Sequence, residues 1–227
     1  LKEPSANRLT TFNSYALHEK EVYSWASTGR QLYEDYDYAT GNTKNYTLSL
    51  PGIVPEDSVW LTTVFAARSI GASTYYSVAV NGKVRGNATL ASISSDNQYY
   101  TRATSASIST SWLGTESENT IVTVIHTRPS GTSGRLDYIA LNYIRSLTLN
   151  APYLTFRSLA SINKETTFVL SGATASTVVW DVTDPANICR MEGSFVGGTY
   201  TFTIPAGKLR EFVAITPEAS GFDTVET

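Results

Sequence analysis

The 227 residues contain one cysteine, one methionine and two histidines, and only 16% of them are charged. The lone Cys189 excludes an intrachain disulfide framework. With His18 and His126 as the whole imidazole inventory, histidine-based catalysis and zinc binding have little material to work with. No apolar run approaches the roughly 18 residues that a membrane-spanning helix needs, so no direct membrane span is expected. The start, LKEPSANRLT, lacks the basic and apolar regions of a signal peptide, so an exported protein would carry this sequence with its leader already trimmed. A net charge of −3 and an isoelectric point near 5.4 give no electrostatic reason for a nucleic-acid partner. Sustained helical periodicity is also missing.

What is present is short alternation. Ser and Thr together make up about a quarter of the chain, a composition suited to the solvent side of strands. VWLTTVFAAR places Val59, Leu61, Thr63, Phe65 and Ala67 on one face. YYSVAVNG aligns Tyr76, Val78 and Val80 before Asn81-Gly82, a two-residue hairpin signal because both turn positions need positive φ. TIVTVIHTRP is a further strand, stopped at Pro129. These features predict an all-β chain in which residues 42–150 form an antiparallel, jelly-roll-like β-sandwich. Pro152 forces a change of direction. Residues 151–227 then supply TTFVLSG, TVVWDVTDP, TYTFTI and LREFVAI, the strands of a small immunoglobulin-like sandwich. In that second domain Val178, Trp180 and Val182 share a face, which predicts Trp180 as a core anchor.

RLDYIALNYIRSLTL, residues 135–149, breaks clean alternation. Ile139, Leu141, Tyr143, Leu147 and Leu149 share one face, yet Tyr138, Ala140 and Ile144 on the other are apolar too. Both faces should therefore be covered. The expected cover is the N-terminal segment 1–41, which offers Tyr15, Leu17, Val22, Tyr23 and Trp25. Residues 13–25 read as a strand or a short helix, and residues 29–42 as an aromatic loop ending in a turn.

Candidate chemistry is sparse. HEKEV opens like a zinc-protease helix, but Val22 stands where the second histidine is needed. His126, in a strand beside Val122 and Val124, reads as a hydrogen-bonded, half-buried histidine without an evident partner. Cys189 has no histidine in its domain and no glycine-rich oxyanion loop, which predicts a buried, inert thiol. Glu34, Asp35 and Asp37 could hold calcium only through an undiagnostic spacing, and read instead as a solvated acidic loop. Tyr33, Tyr36, Tyr38 and Trp25 could stack on sugars, but the missing cover on 135–149 is a better use for them. No catalytic residue, metal ligand or cofactor is expected, and no binding residue can be assigned.

The order of HEKEVYSWASTGRQLYEDYDY, LPGIVPEDSVWLTTVFAAR, VAVNG, LDYIALNYIRSL, LTFRS, VVWDVTDP and LREFVAI resembles the region just upstream of the protease domain in the type IX secretion sortases, gingipain-type cysteine peptidases. The resemblance runs from about His18 to Phe222. It implies a protein exported to the outer membrane or surface of a Gram-negative bacterium, where such enzymes remove sorting signals from cargo and help anchor the cargo to lipopolysaccharide. It also implies a His–Cys dyad in a caspase-like domain that follows this region, so no catalytic residue carries over. The expected role is a non-catalytic scaffold whose partners are the protease domain of the same polypeptide, outer-membrane secretion components or cargo. A carbohydrate-binding module and a surface adhesin are the alternatives.

Overall fold

The computed structural model describes residues 3–25, 31–94, 103–114 and 116–218. Residues 26–30 of the SWASTGRQ stretch, and the tail from residue 219 that includes Phe222, lie outside the described residues. The described chain forms sixteen strands, with one 3₁₀ turn at Leu159–Ser161. It divides into two compact units, residues 15–143 and residues 1–14 with 144–227.

The first unit is built from β2 (Thr11–Glu19), β3 (Thr43–Ser49), β4 (Ser58–Arg68), β5 (Thr74–Val80), β6 (Lys83–Leu90), β7 (Thr104–Leu113), β8 (Asn119–Thr127) and β9 (Ser133–Ser146). They make two four-stranded sheets, ordered β2-β9-β4-β7 and β3-β8-β5-β6. Numbered one to eight along the chain, that is 1-8-3-6 facing 2-7-4-5, the order of a jelly roll, which has no parallel pair and needs no crossover helix. Asn81 and Gly82 close the β5–β6 hairpin with φ of 48° and 79°, both in the left-handed region expected from the sequence. Val59, Leu61, Phe65, Tyr76, Val78, Val80, Val122 and Val124 fill the interior from both sheets. One irregularity bends β9: its register on β4 shifts between Val64 and Phe65, so Asp137 is skipped in the pairing.

The second unit pairs a sheet ordered β1-β11-β15-β14 with one ordered β10-β16-β12-β13. Its strands are β1 (Arg8–Leu9), β10 (Tyr153–Phe156), β11 (Thr166–Ser171), β12 (Val178–Asp181), β13 (Cys189–Arg190), β14 (Gly193–Val196), β15 (Thr199–Ile204) and β16 (Phe212–Ile215). Tyr200, Phe202 and Ile204 are buried, as the alternation of TYTFTI requires. The rings of Phe156, Phe168, Phe202 and Phe212 pack at centroid separations of 5.1–6.3 Å. Residues 1–14 belong to this unit, whereas the sequence placed all of 1–41 on the first sandwich. β1 adds to β11 as a parallel edge strand, and Phe12 sits in the second core.

Two expectations need correction here. In β12 the buried positions are Val179 and Asp181, and Trp180 is only half-buried, so the core face is the opposite one. Asp181 can point inward because its carboxylate accepts from the backbone and hydroxyl of Thr183 and from Arg210. Burial does not demand an apolar side chain when every lone pair is matched. The second correction concerns the cover on β9. Tyr15, Leu17 and Val22 are exposed. The N-terminal segment extends the sheet as strand β2 beside β9, and does not lie across it. Among the described residues, the Arg135–Asp137 end of β9 meets Tyr23, Trp25 and Gln31.

Candidate functional site

A dense polar cluster in the described residues forms where residues 31–42 meet β2, β3 and β9. Along β2, exposed Leu17 and Glu19 flank a half-buried His18. The chain then turns back on itself through a Tyr23–Tyr33 bridge. The backbone N–H of Glu34 donates to the Leu136 carbonyl at 2.9 Å, and that of Tyr38 donates to Gly134 at 2.9 Å, pinning the strap to β9. On β3, alternation turns Tyr46 and Leu48 inward beside a half-buried Lys44.

Glu34 is fully buried as a result, and every neighbour answers its charge. Lys44 Nζ donates to its Oε1 at 2.8 Å, His18 Nε2 lies 3.3 Å from the same oxygen, and Lys20 Nζ lies 3.6 Å away. Tyr46 donates its O–H to Oε2 at 2.7 Å, and the Tyr38 hydroxyl lies 3.0 Å from that of Tyr46. Burial alone would raise the Glu34 carboxyl. The hydrogen bonds from Lys44 and Tyr46 and the charges of Lys44 and His18 outweigh it, holding the group below the ordinary carboxylate value. Burial pushes the hydroxyls of Tyr38 and Tyr46 far above the usual tyrosine range, so both remain protonated donors.

Asp37 makes a second clasp. Its carboxylate accepts from the backbone of Ala39 and Gly134 at 2.8 and 3.1 Å, from Ser133 Oγ at 2.7 Å, and from Arg135 at 3.3 Å. Burial opposes ionisation, but these bonds and the Arg135 charge keep the pKa low. Arg135 also donates to the carbonyls of Glu34 and Asp35 and lies 3.4 Å from the Tyr23 ring centroid. The acidic loop is therefore not solvated as expected: of Glu34, Asp35 and Asp37, only Asp35 is exposed. No group of three or more His, Cys, Asp and Glu residues that could hold a metal occurs among the described residues. Tyr33 and Tyr38 are buried, and the half-buried Tyr36 donates its O–H to the Gly41 carbonyl and has Lys44 Nζ 4.4 Å from its ring centroid.

The remaining candidates are scattered. His126 is fully buried, not half-buried. Its ring stacks on Tyr76 at 4.1 Å, Tyr76 stacks on Phe65 at 4.3 Å, and neither ring nitrogen has a hydrogen-bond partner among the described residues. Burial, reinforced by the charge of Arg128, pushes its pKa down to about 4. Cys189 is exposed on the short edge strand β13, which corrects the expectation of a buried thiol. A two-residue edge strand has only one neighbour to shield it. Cys189 and the two histidines belong to different units. Sequence reasoning missed one further constellation: Glu116 accepts from Arg85 at 3.0 Å and from the Trp112 indole at 2.9 Å, with the Arg85 guanidinium 3.9 Å from the Trp112 ring centroid. The only hint was Trp112 four residues before Glu116; Arg85 comes from a distant strand.

These two units define a class: an all-β chain with a jelly roll and a small sandwich, whose buried charges are used to fasten loops. Its fold is that of a region of PorU. The crystal structure of dimeric latent PorU from Porphyromonas gingivalis aligns with a TM-score of 0.81 at 20% identity, over 96% of this chain and 22% of that one. The chain thus spans about a fifth of the protein whose fold it shares. Two carbohydrate-binding structures match far more weakly. The CBM36-1 domain of a xylanase from the hindgut metagenome of Trinervitermes trinervoides aligns at a TM-score of 0.35 and 11% identity, over 57% of this chain and 95% of that one. The CBM22 tandem of Paenibacillus barcinonensis Xyn10C aligns at 0.27 and 10%, over 77% and 75%. Neither carries functional weight. No family model matches the sequence, and no curated protein matches it.

Proposed function

We propose that this chain is the non-catalytic β region of an exported, sortase-like cysteine peptidase of type IX secretion, acting at the cell surface as a scaffold that positions a protease domain of the same polypeptide or contacts secretion partners and cargo. The supporting observation is the likeness to PorU over nearly the whole chain, at a TM-score that covers both units. The polar chemistry agrees with a scaffold. The carboxylates of Glu34 and Asp37 are consumed by Lys44, Tyr46 and Arg135, and so are not free to act on a substrate. Cys189 has no histidine in its own unit.

The test has two arms. The coding sequence downstream of Thr227 should continue into a caspase-like α/β domain with a His–Cys dyad; a stop codon, or an unrelated domain, would overturn the sortase context. The purified 227-residue chain should not hydrolyse peptides, and Cys189→Ala should change nothing. Peptidase activity that resides in the purified chain and vanishes in Cys189→Ala would refute the non-catalytic reading.

A further inference from the structure

Eight strands end the four sheets, and seven of those edges carry features that discourage further pairing. β1 and β13 are two residues long, and β10 and β14 are four. β2 carries Glu19, β3 carries Lys44, and β6 carries Lys83 and Arg85 and is bulged where its register on β5 shifts between Val78 and Ala79. The eighth edge, β7, has none of these devices. TSASISTSWL contains no charged residue, proline or glycine, and it pairs with β4 through ten residues without a shift, from Leu113 opposite Ser58 to Thr104 opposite Ala67.

The chain entering β4 fixes which backbone groups of β7 are free. Glu56 has φ of 63°; its N–H donates to the Gly114 carbonyl, and the Gly114 N–H donates to the Asp57 carbonyl, both at 2.8 Å. This two-against-one arrangement is a bulge with a left-handed first residue, and it sets Gly114 at a hydrogen-bonded position. Antiparallel ladders alternate, so Trp112, Thr110, Ile108, Ala106 and Thr104 also bond β4, while Leu113, Ser111, Ser109, Ser107 and Ser105 turn their N–H and C=O away from it. Those outward residues are all exposed, and no hydrogen bond from another described residue reaches their backbone.

Such an edge specifies its own ligand. Its donors and acceptors recur at alternate residues, about every 7 Å, and that period belongs to another extended polypeptide backbone rather than to a sugar, a nucleotide or an ion. The outward serines are small and leave room for a neighbour. The nearest charges, Arg85 and Glu116, pair with each other at 3.0 Å beside Trp112, so the segment that fits is itself uncharged. Area separates such a segment from a second folded copy. Edge-on, β7 offers about 34 Å of strand on a sheet side about 10 Å deep, roughly 340 Å² per partner against the roughly 800 Å² of a stable dimer. A lone segment takes its affinity from main-chain bonds instead.

We propose that the free edge of β7 is a docking site for an extended, uncharged segment of a partner polypeptide, which adds to the β2-β9-β4-β7 sheet as a fifth, antiparallel strand. The proposal is independent of the protease context.

The probe is a fluorescein-labelled peptide of β7's own sequence, TSASISTSWL, which can set serine opposite serine when antiparallel to the strand. Titrated into the 227-residue chain, it should raise anisotropy with a Kd below about 1 mM. A version N-methylated at alternate residues keeps the side chains but cannot complete the ladder, and should not bind. In hydrogen exchange the amides of Ser105, Ser107, Ser109, Ser111 and Leu113 should be fast in the free chain and slow with peptide, and those of Ile108 and Thr110 slow throughout. Ser109→Pro removes an outward N–H and spares the ladder to β4, so it should weaken binding about tenfold or more with little change in Tm. Ser107→Lys gives this edge the charge that other edges carry and should weaken binding too, which keeps the comparison open if Ser109→Pro unfolds. No binding up to about 1 mM, or equal binding of the N-methylated peptide, overturns the proposal. Outward amides already slow in the free chain would mean that the edge is covered from within, and a dimer in size-exclusion chromatography that Ser107→Lys disperses would mean that a second copy takes it; either result overturns the proposal as well.

Discussion

Lys44 Nζ lies 2.8 Å from Glu34 Oε1, and the two residues join strand β3 to a strap whose backbone is bonded to β9 of the facing sheet. A buried carboxylate with one half-buried lysine is costly to unmake. Removing one partner of a buried ion pair usually destabilises by about 3–5 kcal/mol, because the other is left uncompensated. Lys44 and Lys20 reach water, which places Glu34→Gln at the lower end, about 3 kcal/mol in urea unfolding, with a larger loss than for Asp35→Asn. Equal losses for the two variants would mean that the clasp contributes nothing specific.

Acid should unfold the first unit in two stages. His126 has a folded-state pKa of about 4 against an ordinary 6.5. Between those values the unfolded chain binds a proton that the folded one refuses, so stability falls as pH drops through that window, by at most about 3.5 kcal/mol at about 1.4 kcal/mol per unit. Glu34 and Asp37 are depressed, so their stabilisation is complete above the ordinary carboxylate range and is lost as pH falls through their lower folded values. His126→Leu should flatten the stability profile between pH 6.5 and 4 and leave the loss below it. An unchanged slope in that variant would show that His126 is not the group responsible.

Gly134 faces His126 and Tyr76 without a side chain of its own. A Cβ there would collide with His126 Nδ1 and the Tyr76 hydroxyl, both on buried rings that cannot swing away. Gly134→Ala should cost about 1–3 kcal/mol, as overpacking does, despite the gain in strand propensity. A neutral or stabilising effect would mean the ring stack has room to shift.

In the second unit, Phe202→Ala should cost about 3–5 kcal/mol because its ring meets Phe168, Phe212 and Phe156 in the core. Trp180→Ala should cost clearly less, since β12 buries Val179 and Asp181 instead. The reverse ranking in thermal or urea melts would restore Trp180 as the anchor.

The sequence by itself determined the strand content, because a period of two in TYTFTI, YYSVAV and VWLTTVF is local and one face of each must leave water. It determined the Asn81–Gly82 turn for the same reason: the φ requirement belongs to two residues alone. The inward face of β9 was legible too, with Ile139, Leu141 and Tyr143 in the first core, but the strand ends at Ser146, and Leu147 and Leu149, expected on the same face, are buried in the second core. What alternation cannot rank is a strand whose two faces are equally apolar or equally polar. In VVWDV either parity yields a plausible core, and the partners of Asp181, at Thr183 and Arg210, decided it. The outer face of β9 likewise looked as though it needed a cover, because sequence shows that Tyr138 and Ala140 are apolar but not that β2 adds beside them at the sheet edge. The fate of Glu34 depended wholly on tertiary structure. Its partners His18, Lys44 and Tyr46 come from strands in opposite sheets, and a carboxylate's protonation and burial follow from what the fold brings within hydrogen-bond reach, which no local pattern encodes.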